Sequence, residues 1–140
     1  MSKWSFIAIY RTPYFGKVKL MIRQMVDSGL IEAQIGLESV DNSILVNMNK
    51  KSTREMIFKT IEHCKNAGLY ILEGNLLLAA TNETKAQIES YYDAIEQLLL
   101  VGKGMLQLYV VMFCPFPNTP ISNDPSKYGI RILPDQCDIR

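Results

Sequence analysis

The chain has 140 residues, 48% of them hydrophobic and 21% charged, with a formal net charge of +1. That supports one domain with a real core, and it excludes a disordered segment, a polycationic nucleic-acid binder or a basic membrane-surface protein. Cys64, Cys114 and Cys137 are too widely spaced for a disulfide framework or a zinc site. No signal peptide is apparent and no apolar run reaches the roughly 18 residues of a spanning helix, so a cytoplasmic protein with reduced thiols is expected.

Trp4 to Tyr10 is aromatic and branched, which predicts a buried strand ended by Arg11-Thr12-Pro13, since proline cannot donate to a ladder. Val18, Met21, Ile22, Met25 and Val26 recur at helical spacing, and Gly29 closes that helix. A second strand is predicted over Ile31 to Leu37 and stops at Glu38-Ser39. Asp41 then caps a short helix carrying Ile44, Leu45 and Met48. Ser52-x-x-Glu55 has the form of a capping box opening a longer helix with Met56, Ile57, Thr60, Ile61 and Cys64 on one stripe, closed by Gly68.

Leu69 to Ala80 holds a third strand that Glu73-Gly74-Asn75 interrupts, and its buried part is expected over Leu76 to Ala80. Thr84-x-x-Gln87 is a second capping box, followed by a stripe of Ile88, Tyr91, Tyr92, Ile95, Leu98 and Leu99 whose tyrosines packing alone accounts for. A fourth strand is predicted over Leu106 to Phe113. Beyond Cys114 the proline turns of PFPNTP, NDP and LPD have no period. The pattern predicts an α/β fold: alternating βα units and a parallel sheet of about four strands. One domain is expected over residues 1–130, with a loose tail over 131–140.

Polar residues where strands end are how such a sheet meets a small ligand. Glu38, Ser39 and Arg11 stand at such ends. The charged candidates also have plainer accounts: Glu38 capping a turn or pairing with a lysine, Lys50 as a solvated helix-end charge stabilised by the dipole, Glu83 lying in a first helical turn. His63, the single histidine, is expected at the surface, and Cys64 in the core.

GLES (Gly36 to Ser39), LVNMNK (Leu45 to Lys50), KNAGL (Lys65 to Leu69), TNET (Thr81 to Thr84) and PFPNTP (Pro115 to Pro120) follow one another in order. Together they resemble the later part of a radical S-adenosylmethionine (SAM) enzyme barrel. The resemblance is to the branch with cobalamin-dependent methylases and cyclases and methylthiotransferase-like enzymes, and it covers Trp4 to about Ile130. It implies strands three to six of a partial, half TIM-type barrel. It also implies roles in binding SAM: Glu38 and Ser39 near the ribose and amino acid, Lys50 at the cofactor carboxylate, and Thr81 to Glu83 with Met112 to Cys114 (Phe113 at their centre) along the adenine. Arg11 on the same rim would contact substrate.

Two departures from that pattern stand out. Where the family's turn reads glycine, any residue, proline, glycine, glutamate, threonine, this chain has Ala79-Ala80-Thr81-Asn82-Glu83-Thr84. The CxxxCxxC motif that holds the family's 4Fe-4S cluster is absent, as are the first two strands, so no radical chemistry is expected from this chain alone. The expectation is a truncated or split radical SAM domain contributing the ribose and adenine side of the site. Its partner would be another chain carrying the cluster-binding strands, or a second copy meeting it through open sheet edges. The alternatives are a non-catalytic half-barrel module that dimerises or binds a partner, and an ordinary α/β enzyme using Glu38 as acid or base.

Overall fold

A computed structural model describes residues 6–11, 19–80 and 82–131. The elements alternate: β1 (Phe6–Arg11), α1 (Lys19–Asp27), β2 (Leu30–Glu38), α2 (Asn42–Asn47), α3 (Arg54–Ala67), β3 (Ile71–Leu78), α4 (Lys85–Val101), β4 (Leu106–Met112), then a short α5 (Pro120–Asn123) and a 3-10 turn (Pro125–Tyr128). The strands form one parallel sheet in the order β1-β2-β3-β4. Strand order that follows chain order, with every crossover on one side, is the winding of a barrel sector rather than of a doubly wound sheet. The expected α/β sheet with four parallel strands is what the chain forms.

The core lies between the sheet and its helices. Ala33, Ile35 and Leu37 of β2 and Leu72 and Leu76 of β3 pack against Ile57, Ile61 and Cys64 of α3 and Tyr91, Ala94 and Leu98 of α4, all buried. Gly74 sits in this layer because a Cβ there would meet Leu37 Cδ1 at 2.7 Å and Leu108 Cδ2 at 3.0 Å. Neighbouring leucines from both flanking strands already fill that volume.

Two expectations are corrected. Ladder pairing with β2 and β4 carries β3 without a break from Ile71 through Glu73-Gly74-Asn75 to Leu78. The polar residues do not interrupt it because Glu73 and Asn75 alternate with buried Leu72, Gly74 and Leu76 and face the other side. Also, Thr53, not Ser52, caps α3, accepting from the Met56 N–H, while Ser52 is buried. The remaining caps are as expected: Asp41 on α2, a Thr84–Gln87 box on α4, and left-handed Gly68 closing α3. Lys65 reaches from α3 to the Val101 carbonyl at 2.9 Å, satisfying an open acceptor of the last turn of α4.

The face of the sheet away from the helices carries a polar cluster. Gln34 Nε2 and the Tyr109 hydroxyl both donate to the Glu73 carboxylate, at 3.2 and 3.1 Å, spanning β2, β3 and β4. Among the described residues no helix is long and apolar enough to cross a membrane. Thr81 and the greater part of the predicted tail, residues 132–140, lie outside the described residues.

Candidate functional site

The carboxyl ends of the strands share one rim, and the backbone is unusual there. Five described non-glycine residues have positive φ: Glu38, Asn49, Ala79, Asn82 and Asn118. Glu38 is the last residue of β2, Asn49 follows α2, and Ala79, Asn82 and Asn118 lie in the connections that leave β3 and β4. A left-handed conformation costs an L residue roughly 1–2 kcal/mol, and such residues concentrate where a backbone must present particular groups.

Glu38 closes β2 with φ 65, at a register shift where β2 carries one residue more than β3 between Gly36 and Glu38. The bulge and the left-handed turn fold its carboxylate back over Gly36, whose missing Cβ would stand 2.7 Å from Glu38 Oε1. Lys50 meets the same oxygen at 2.7 Å. Left-handed Asn49 precedes that lysine and turns it back from the end of α2. The pair is half-open to solvent, with the Glu38 side chain 20% and the Lys50 side chain 39% exposed. Both the predicted ribose-side acid and the predicted cation are therefore at one place, as partners of each other.

Ser39 is fully buried. Its Oγ accepts the Asp41 N–H at 3.0 Å and shares a hydrogen bond with the hydroxyl of Tyr91, itself 2% exposed. The Tyr91 phenol is pushed well above its ordinary range, first by burial and then by the neighbouring Glu83 carboxylate. Glu83 Oε2 accepts the Ala80 N–H at 3.2 Å, while buried Oε1 has no hydrogen-bond partner among the described residues. Gln87 Nε2 bridges to Asp41 Oδ2 and Ser43 Oγ, at 3.4 and 3.0 Å. The hydrogen bond from Ser43, outweighing partial burial, holds the Asp41 carboxyl below its ordinary value. This network fastens the turn after β2 to the first turns of α4.

Sequence reasoning missed the polar role of Tyr91. Its helical stripe signalled packing, and nothing local distinguishes a buried hydroxyl with a partner from a phenylalanine-like filler. Phe113 is half-buried just beyond β4, where its N–H bonds the Leu78 carbonyl at 2.7 Å and so lies beside the turn carrying Ala79. Arg11 ends β1 opposite Gly36, but its side chain lies outside the described residues. Asn82 is close-packed under the last turn: a Cβ on Gly129 would meet its Oδ1 at 2.5 Å. The segment after β4 thereby returns over the turn after β3.

The residues fit a zwitterionic nucleoside better than they fit an iron–sulfur cluster. A carboxylate beside an ammonium and an orphan buried acceptor can serve hydroxyl, carboxylate and amino groups. No group of three cluster-type ligands exists among the described residues. Cys64 is buried in the core with its thiol pushed up to about 12 by burial, whereas Cys114 is exposed just past β4. A buried, protonated thiol is a poor metal ligand.

No family model matches the sequence. The chain is 28% identical over 117 residues to bacteriochlorophyllide d C-8(2)-methyltransferase of Chlorobaculum tepidum, covering 81% of this chain and 24% of that protein. It superposes with a TM-score of 0.67 on coproporphyrinogen III oxidase (HemN) from Escherichia coli, a radical SAM enzyme, at 13% identity over 79% of this chain and 24% of that one. The chain thus spans 24% of the length of each. Its fold is a sector of a radical SAM-like barrel.

Proposed function

We propose that this sector of a radical SAM-like barrel supplies the ribose and adenine side of an S-adenosylmethionine site whose cluster-binding part lies outside the chain. The observation that carries the proposal is the Glu38–Lys50 pair, held at the strand-end rim by a bulge and two left-handed residues. In this assignment Lys50 binds the cofactor carboxylate and Glu38 accepts from the ribose hydroxyls, each exchanging its present partner for a ligand group. Ser39, through Tyr91, fixes the turn that carries Glu38. Glu83 Oε1 accepts an N–H from the purine, and Phe113 belongs to the same wall; Thr81 is assigned to the adenine side by the resemblance alone. Arg11, at the end of the neighbouring strand, is assigned to substrate contact.

When bound, SAM with a reduced cluster supplies radical or methyl-transfer chemistry. Among the described residues no group of three ligands could hold that cluster, so in this reading its ligands come from residues other than these. The relatives' printed activities are methylation of a bacteriochlorophyllide and oxidation of coproporphyrinogen III, which makes these two compounds the first substrates to try.

The test is isothermal titration of the chain with SAM, compared with Lys50→Ala and Glu38→Gln. Binding should be measurable in the wild type and fall roughly tenfold or more in each variant, the scale of one lost charge-assisted hydrogen bond. Binding that ignores both substitutions refutes the assignment. No binding at all would favour the alternative of a non-catalytic half-barrel, for which the exposed apolar flank of α4 at Tyr92 and Leu100 speaks.

A further inference from the structure

None of residues 113–131 is buried, yet the segment is ordered within itself. Thr119 and Ser122 cap α5 reciprocally: the Ser122 N–H donates to Thr119 Oγ1 at 3.2 Å and the Thr119 N–H to Ser122 Oγ at 3.1 Å. The Gly129 and Ile130 N–H groups close the 3-10 turn on the Ser126 and Pro125 carbonyls, at 3.1 and 3.0 Å. Ser126 Oγ donates to Asp124 Oδ1 at 2.9 Å where α5 and that turn join, and the two pack on each other. Pro115, Pro117, Pro120 and Pro125 fix φ along the stretch and stiffen it further.

Two contacts tie this segment to the strand-end rim. At its start the Phe113 N–H bonds the Leu78 carbonyl at 2.7 Å, and exposed Cys114 follows outside any helix or strand. Near its end Gly129, left-handed at φ 67, lies against the turn after β3, where a Cβ would meet Asn82 Oδ1 at 2.5 Å and Asn82 Cα at 3.7 Å. A stiff, self-bonded segment without buried anchorage separates from a core at far smaller cost than the core unfolds. The turn beneath it needs such a movement. Glu83 Oε1 on that turn is buried with no hydrogen-bond partner among the described residues, so no ligand meets it until something near the turn shifts.

We infer that residues 114–131 form a strap that hinges at Cys114, moves as one unit, and latches onto the turn after β3 where Asn82 meets Gly129. Opening uncovers the adenine side of the rim, and closing seals it. The latch is one of shape: glycine at 129 leaves room for the Asn82 side chain and takes the left-handed φ without steric cost. As a gate for a nucleoside the strap rests on the function proposed above. Its opening is a property of the ligand-free chain, so the two readings fail separately.

Amide relaxation-dispersion NMR on the full, ligand-free chain tests it, with circular dichroism confirming that each variant is folded. The strap and the turn residues Ala79, Ala80, Asn82 and Glu83 should share one exchange process, absent from β2 and α3. Gly129→Ala should raise the open fraction roughly tenfold, because alanine is strained there and its Cβ drives into Asn82. Asn82→Gly keeps the turn, removes the contact, and should raise the open fraction less. Once Asn82 is glycine, Gly129→Ala should have a smaller effect than it has alone, because the clash is gone. A strap as rigid as the core in both the wild type and Gly129→Ala overturns the inference. So does a segment that moves without the turn, or a pair of substitutions whose effects simply add, which would leave Asn82 and Gly129 unlinked.

Discussion

Replacing Ala79 with glycine should stabilise the protein. The structure holds Ala79 and Asn82 in the left-handed region, with φ 56 and 57, which glycine adopts without steric cost. Alanine held there forgoes roughly 1–2 kcal/mol that glycine would not. Against that, glycine costs about 0.5–1 kcal/mol through the greater entropy of its unfolded chain. The half-buried Ala79 methyl adds only a fraction of the ~0.8 kcal/mol that full burial would bring. The net expectation is a gain of about 0.5 kcal/mol. Urea denaturation should show the midpoint rising at unchanged slope. Ala79→Val, whose branched Cβ is worse in this region, should lose more than about 1 kcal/mol. Asn82→Gly should be close to neutral, because asparagine already tolerates the conformation and its side chain packs against Gly129. An Ala79→Gly variant less stable than the wild type by about 0.5 kcal/mol or more would refute the strain account.

Two further outcomes follow from the network behind the rim. Tyr91→Phe removes a hydroxyl bonded to fully buried Ser39, which should cost about 1–3 kcal/mol in denaturant unfolding; a neutral substitution would mean that this hydrogen bond contributes nothing. Asp41 is held below its ordinary 3.8, so its contribution is present above that value and lost as pH falls through the lower folded value. Asp41→Asn keeps a capping acceptor but not the charge, so stability measured from pH 5 down to pH 2 should fall less steeply than in the wild type. Equal slopes would show that the carboxylate does not titrate with folding.

Local chemistry set most of the elements. Asp41, Thr84-x-x-Gln87 and Gly68 mark helix ends by satisfying backbone groups within a few residues of themselves, so their positions can be read without a partner. The alternation of apolar runs with helical stripes likewise required a parallel sheet covered by helices. Two results went the other way because they rest on neighbours distant in sequence. β3 runs through Glu73-Gly74-Asn75 since β2 and β4 pair with it on either side and Gln34 and Tyr109 meet its carboxylate. Tyr91 became a polar anchor because the chain brings Ser39 to it from across the molecule.

By itself, then, the sequence determined the order of strands and helices and the helix ends at Asp41, Thr84 and Gly68, because those depend on spacing and on bonds made nearby. Only the tertiary structure decided that Glu38 and Lys50 satisfy each other, that Ser39 is sealed beneath Tyr91, and that Leu100 stays outside while Leu98 goes in. Those outcomes depend on which volume is already filled and which charge arrives from another connection, and neither is a property of any one segment.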